Sequence, residues 1–257
     1  MSPEVHDTPV AERPLAGTAA LVTGAGQGGG RGIAEALAAA GAQVAVVDLH
    51  LDRARQVVDG LPAGTGLALG CDVGDPAQLA AAVDATVDAF GGLRVLVNAA
   101  HHMVRSGSLL DTTEDDVEAL WRTGPLATLR LMRLCHPHLK GDGVVINFGS
   151  GAMWNPRGYG VYAATKEAIC ALTRTAVVEW GPDGIRAHVI VPFVRSPSME
   201  ADLGPQGRFD TIGDTLPLGR VLQPEDLGGV AVFLAGPAGA CLTGQMMMCD
   251  GGSTNRR

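Results

Sequence analysis

The stretch VTGAGQGGGRGIAEAL (22–37) begins as a short apolar run, crosses six glycines within residues 23–32 and ends in an Ala- and Leu-rich helical pattern. A glycine-rich turn between a strand and a helix lets backbone N–H groups approach a pyrophosphate, which then sits at the positive end of the helix. Glycine also serves tight strand-to-helix turns that bind nothing. The meaning of this turn therefore depends on what surrounds it.

What surrounds it is alternation. TAALVT (18–23), QVAVVD (43–48), GLALGCDV (66–73), LRVLVNAA (93–100), GVVINFGS (143–150), GIRAHVIVP (184–192) and QMMMCDGG (245–252) read as strands. Helical patterns lie between them, at 32–41, near 52–60, and at 76–90, 114–139, about 160–180 and 224–236. Continuous apolar strands interleaved with helices predict an α/β fold: a Rossmann-like, doubly wound parallel sheet of about seven strands, with helices on both faces. Residues 15–257 are expected to form a single domain. The polar, acidic, proline-bearing residues 1–14 are expected to be a disordered arm rather than a signal or transit peptide. Residues 196–220 interrupt the rhythm after a strand end, where open α/β sheets bind ligands, and read as a substrate lid.

Composition narrows the function. A net charge of −8 and a pI near 5.3 argue against nucleic acid, which calls for a basic surface. No apolar run approaches the roughly 20 residues that span a bilayer. The five cysteines are odd in number and widely spread, so they predict neither disulfides nor a metal site, and suit the reducing cytoplasm. The expected partner is a small-molecule substrate.

Asp48 ends the second predicted strand, 24 positions after Gly24. A carboxylate there can accept hydrogen bonds from both adenosine ribose hydroxyls and would repel a 2′-phosphate, so NAD is expected over NADP. An ordinary helix cap is the competing reading. Asp72, in CDV at the end of the third strand, is placed to contact adenine.

The spacing T-G-x-x-x-G-x-G at Thr23, Gly24, Gly28 and Gly30 resembles the cofactor motif of the short-chain dehydrogenases/reductases. CDV (71–73), LVNAA (96–100), YAATK (162–166) and TGQMMMCDGG (243–252) extend the resemblance over residues 15–252, in the family's order and spacing. The segment GYGVYAATK (158–166) holds both tyrosines of the chain and one of its two lysines. Tyr162 and Lys166 are four apart and share a helix face, whereas Tyr159 precedes the helix. Geometry thus selects Tyr162, in agreement with the family's Y-x-x-x-K motif. An amphipathic helix with snorkelling side chains is the competing explanation. A neighbouring ammonium and a positive nicotinamide would lower the phenol pKa, as acid–base catalysis requires.

The resemblance implies that Ser150 orients the substrate oxygen and that Lys166 holds the nicotinamide ribose. It also implies that Asn98, Pro192 and Ser196 (or Ser198) contribute to the cofactor site. The implied activity is NAD-dependent interconversion of a secondary alcohol and a ketone by a homodimer or homotetramer. A non-redox enzyme or scaffold that keeps dinucleotide binding is the alternative.

Three departures from the family matter. An asparagine of the long helix is replaced by Gly124, followed by Pro125, which should break the helix and free the Trp121 carbonyl to hold a water near Lys166. The common N-N-A-G becomes NAAH, setting His101 and His102 beside the expected nicotinamide. Phe193 follows Pro192 and would narrow the pocket, whose apolar wall is assigned to Met153, Trp154, Tyr159 and Phe193.

Overall fold

The computed structural model describes residues 13–103, 107–154, 157–203 and 207–255; residues 1–12 of the expected arm lie outside them. Seven strands, β1 (Ala19–Thr23), β2 (Gln43–Asp48), β3 (Gly66–Gly70), β4 (Val95–Asn98), β5 (Val144–Phe148), β6 (Arg186–Pro192) and β7 (Met246–Cys249), form one sheet in the order β3-β2-β1-β4-β5-β6-β7. Every pairing is parallel. The order reverses between β1 and β4, which makes their carboxyl ends the topological switch point.

The apolar strands are explained by a core on each side. Val22, Val44, Val46, Val95, Val97, Val144 and Ile146 face one layer with α1 (Gly28–Ala39), α2 (Leu51–Asp59) and α9 (Asp226–Ala235). Their alternates Leu21, Ala45, Val47, Leu96 and Val145 face α3 (Pro76–Phe90), α5 (Ala127–Leu139) and α6 (Gly160–Trp180). The period-two alternation thus feeds two helix layers.

Helix ends follow local chemistry. Asp75 caps α3 by accepting from the N–H groups of Ala77 and Gln78, Pro76 occupies the first turn, and Gly91 ends the helix at φ 74°. By contrast, α1 begins at Gly28, inside the glycine run and earlier than the Ala-rich pattern suggested, because packing overrides glycine's poor helix propensity. The strands at 66–73 and 93–100 prove shorter than expected, so Asp72 lies beyond the end of β3, in a loop.

Two regions differ from expectation more substantially. The segment 114–139 is α4 (Glu114–Trp121), a π-helical turn over Arg122–Leu126 and α5, so the chain changes helical register at Pro125 without leaving the helix. The stretch 196–220 contains two short helices, α7 (Pro197–Leu203) and α8 (Gly207–Thr215). An apolar cluster of Phe209, Leu216 and Val221, joined by Phe193, Met199 and Ile212, supports them. Short helices of this kind depend on tertiary contacts, which composition does not display.

The fit of α1 against α9 rests on absent side chains: a Cβ on Gly32 would run into the Pro224 carbonyl, and one on Gly228 into Ala36. Gly32→Ala should therefore cost about 1–3 kcal/mol of stability in urea denaturation. Gly229, also in α9, faces open space. Gly229→Ala should raise stability by about 0.5–1 kcal/mol, and equal effects from the two changes would contradict this account of the interface.

Candidate active site

The site gathers at the carboxyl ends of β1, β4 and β5. Thr23 ends β1, and its Oγ1 accepts from the Ala99 and Ala100 N–H groups, each at 3.2 Å, fastening the β1 and β4 tips. Gly24 lies against this crossing: a Cβ there would sit 2.8 Å from Ala100 backbone atoms. Gly30 in turn packs on the Gly24 carbonyl. Gly28 adopts φ 55°, and a Cβ there would lie 3.1 Å from Ser196 Cβ, so the glycine turn meets the residue that precedes α7.

The turn fits a dinucleotide phosphate. Gln27, the N-cap of α1, makes no side-chain cap hydrogen bond, which leaves the first-turn N–H groups uncapped by a side chain. Asp48 is 7% exposed, and its carboxylate accepts from the Gly26 and His50 N–H groups, each at 3.0 Å. Each carboxylate oxygen retains a lone pair for a ribose hydroxyl. Asp48 does not cap α2, whose N-cap is His50. Arg53 is held by Gln27 Oε1 at 3.1 Å on the same side. Asp72 is already engaged, accepting from the Gly74 N–H at 2.8 Å and from Arg122 at 3.4 Å.

Polar side chains inside β4 and β5 brace the floor. Asn98 and Asn147 are register partners, and Asn98 Nδ2 donates to Asn147 Oδ1 at 2.7 Å. Asn147 Nδ2 donates to Thr173 Oγ1 at 2.9 Å, linking β5 to α6. Sequence reasoning missed Asn147; the signal was an amide inside the otherwise apolar run GVVINF. Asn98 Oδ1 is buried with no partner among the described residues.

The catalytic candidates come together around the start of α6. Ser150 Oγ accepts from the Ala152 N–H at 3.2 Å, and Ser150 is hydrogen-bonded to the Tyr162 side chain. Lys166, 3% exposed, donates to the Phe148 carbonyl at 3.0 Å, and its Nζ lies 5.6 Å from the Tyr162 ring centroid. Burial dominates the titration of both groups. It pushes the Tyr162 phenol up to about 12, with Ser150 acting in the opposite direction. It pushes the Lys166 ammonium down to about 8, with Cys170 opposing. The expected lowering of the phenol by the lysine is therefore not realised by the protein alone, since desolvation outweighs an ammonium whose hydrogen bond goes to a carbonyl.

The other predicted positions separate. His101 stacks on Tyr162 with centroids 5.1 Å apart, while Tyr159 lies 6.4 Å from the same ring. His102 is exposed, and its backbone N–H donates to Thr123. Met153 is partly buried and packs against Cys170, Val189 and Val191. Phe193 packs against the apolar cluster that supports α7 and α8. Trp154 is half exposed. Leu109 and Leu110, unnoticed in the sequence, are also exposed, and Leu109 lies over Gly160 at the start of α6. Pro192 ends β6, and Ser196 Oγ accepts from the Met199 N–H at 3.3 Å. The Ser198 side chain lies outside the described residues. No group of metal-ligating side chains and no helix long and apolar enough to cross a membrane occurs among the described residues.

The family described as Enoyl-(Acyl carrier protein) reductase matches residues 24–254. The chain is a short-chain dehydrogenase/reductase. It is 34% identical over 244 residues to 4-formylbenzenesulfonate dehydrogenase of Comamonas testosteroni, an alignment covering 91% of this chain and 96% of that protein. It is 32% identical over 247 residues to D-threitol dehydrogenase of Mycolicibacterium smegmatis, covering 93% and 94%. Among solved structures, 3-ketoacyl-(acyl-carrier-protein) reductase of Brucella melitensis with NADH aligns at a TM-score of 0.86 and 29% identity, over 93% of this chain and 99% of that one. A short chain dehydrogenase of Burkholderia cenocepacia with NADP aligns at 0.86 and 32%, over 95% and 100%. This short-chain dehydrogenase/reductase is thus an oxidoreductase by family, on a fold that binds either dinucleotide.

Proposed function

We propose that the protein is an NAD(H)-dependent oxidoreductase that interconverts a secondary alcohol and a ketone on a small, largely apolar metabolite. The observation that carries this reading is the assembly of Ser150, Tyr162 and Lys166 at the carboxyl end of β5, with Ser150 hydrogen-bonded to Tyr162 and Lys166 buried beneath it. Apolar side chains exposed on the flanking segments, Leu109, Leu110 and Trp154, favour an apolar substrate body.

When bound, the nicotinamide supplies the hydride acceptor or donor. The glycine turn and the α1 N-terminus would hold its pyrophosphate, Asp48 the adenosine ribose and Lys166 the nicotinamide ribose. Ser150 Oγ holds the substrate oxygen beside the Tyr162 phenol. In ketone reduction Tyr162 gives its proton to that oxygen; in alcohol oxidation it takes the hydroxyl proton as a phenolate. The lid helices α7 and α8, seated on Phe193 and Phe209, would close over the substrate and exclude water.

Asp48 generates the cofactor prediction. Calorimetric titration should show NADH binding more tightly than NADPH, and Asp48→Ala should narrow the gap. Tighter NADPH binding by the unaltered protein would refute the assignment, with Arg53 the side chain best placed to account for it.

For catalysis, Tyr162→Phe should reduce turnover on a panel of secondary alcohols and ketones by about 10²–10⁴-fold, leaving NADH affinity nearly unchanged. Tyr159→Phe should be mild. Undiminished turnover in Tyr162→Phe would eliminate the mechanism.

The protein is further proposed to be a homodimer or homotetramer, since Met246 and Met248 on the edge strand β7 are each 38% exposed and Val178 on α6 is 77% exposed. Sedimentation at micromolar concentration should show an oligomer that Met248→Glu weakens; a monomer would reject it.

A further inference from the structure

The Gly124-Pro125 pair and the histidine that ends NAAH meet at one place. The helix widens into a π turn over Arg122–Leu126 around Pro125, which has no N–H to give, and the Leu120 carbonyl lies where this turn begins. His101 Nε2 lies 3.0 Å from that oxygen. A carbonyl can only accept, so Nε2 carries the hydrogen and the neutral ring presents Nδ1 as an acceptor. Burial, aided by the Lys166 charge, holds His101 well below its ordinary pKa and hence neutral. Gly124 makes the room: a Cβ there would lie 2.5 Å from His101 Nε2 and 2.8 Å from Cε1. The next residue is clipped to the same turn, since the His102 N–H donates to Thr123 Oγ1 at 3.2 Å and that hydroxyl donates to the Ala119 carbonyl at 2.8 Å. Glycine, proline and histidine therefore form one device, in which an imidazole from the β4 loop fills a slot in the helix.

Its second nitrogen is unspent. His101 Nδ1 is buried with no hydrogen-bond partner among the described residues. The ring stacks on Tyr162, and Lys166 Nζ approaches that same phenol ring. An ammonium has three donors, and Lys166 places one on the Phe148 carbonyl. A single water accepting from Lys166 and donating to His101 would satisfy both buried groups. The Leu120 carbonyl is not available for that water, because His101 itself occupies it.

We propose that His101 is a positioning residue: through one bridging water its Nδ1 anchors the Lys166 ammonium beside Tyr162. This deepens the reading of Tyr162 and Lys166 as the catalytic pair and rests on it. The titratable groups facing Lys166 are Tyr162 and Cys170 from α6 and His101 from the β4 loop, and His102 acts on His101 rather than on Lys166.

The chain's two lysines make the test direct. In cofactor-free protein carrying ¹³C-lysine, NMR titration should resolve Lys166 near 8, with the half-exposed Lys140 as internal control. His101→Phe keeps an aromatic ring but removes the acceptor, and should lower the Lys166 midpoint by about one pH unit. Gly124→Ala, which expels the ring from its slot, should do the same and serves if His101→Phe does not fold. His101→Ala combined with Gly124→Asn supplies an amide from the helix and should recover most of the shift. An unmoved or raised Lys166 midpoint in the folded single variants overturns the proposal, as does a ¹⁵N spectrum showing His101 protonated at Nδ1. Because no cofactor or substrate is present, this outcome is separate from failure of the NAD or Tyr162 predictions.

Discussion

A lysine ammonium that is 3% exposed must be paired or discharged, and Lys166 is paired with the carbonyl that ends β5. That bond fixes much of what matters in the site. It brings the first two turns of α6 over the strand tip, which sets Tyr162 beside Ser150 two residues beyond Phe148. Asn147 repeats the same link one residue earlier, through Thr173 on the next turns of α6 and Asn98 on β4. Two polar ties in an otherwise apolar layer thus fix the rotation of a 21-residue helix, where packing of Ala, Ile and Cys alone would tolerate slippage.

The sheet and its order of elements were legible because each strand run is apolar on both faces and each helix stripe is wide. The 76–90 and 160–180 helices come out with the expected bounds, since Asp75-Pro76, Gly91 and the Gly158–Gly160 turn are local signals. The tyrosine and lysine could be named for a similar reason, as a spacing of four is meaningful on any helix, whereas the serine was named through the family resemblance alone. What was not legible depends on contacts distant in sequence. The helices α7 and α8 exist because Phe209 and Leu216 meet Phe193, and the packing of Met153 on Cys170, Val189 and Val191 joins residues distant in sequence. Burial of Tyr162, which reverses the expected direction of its pKa, is likewise a property of the assembled site.

Gly124 and His101 show why departures from a motif should be read together. Taken singly, a helical glycine before a proline reads as damage, and a histidine after a strand reads as a pocket residue. In the folded chain the glycine is the space the imidazole fills, and the carbonyl it binds, that of Leu120, lies where the π turn around the proline begins. Changing either partner alone would leave a clash, a cavity or an unsatisfied buried oxygen. Such mutual dependence gives sequence changes at 101, 124 and 125 a strongly non-additive cost.

The same burial also sets how the site responds to charge. Burial shifts both Tyr162 and Lys166 toward their neutral forms, the phenol by raising its pKa to about 12 and the amine by lowering its to about 8, which still leaves Lys166 charged at neutral pH. Tyr162 is then a proton donor at neutral pH, the role that ketone reduction demands, and needs no further adjustment to act as one. To become a base it requires added positive charge nearby, and in a site this buried a unit charge weighs far more than it would in water. On the proposed reading, oxidised and reduced nicotinamides differ by one positive charge. The pKa of Tyr162 would consequently fall with the form that demands a base and stay high with the form that demands an acid, so the phenol's protonation state would follow the cofactor's redox state.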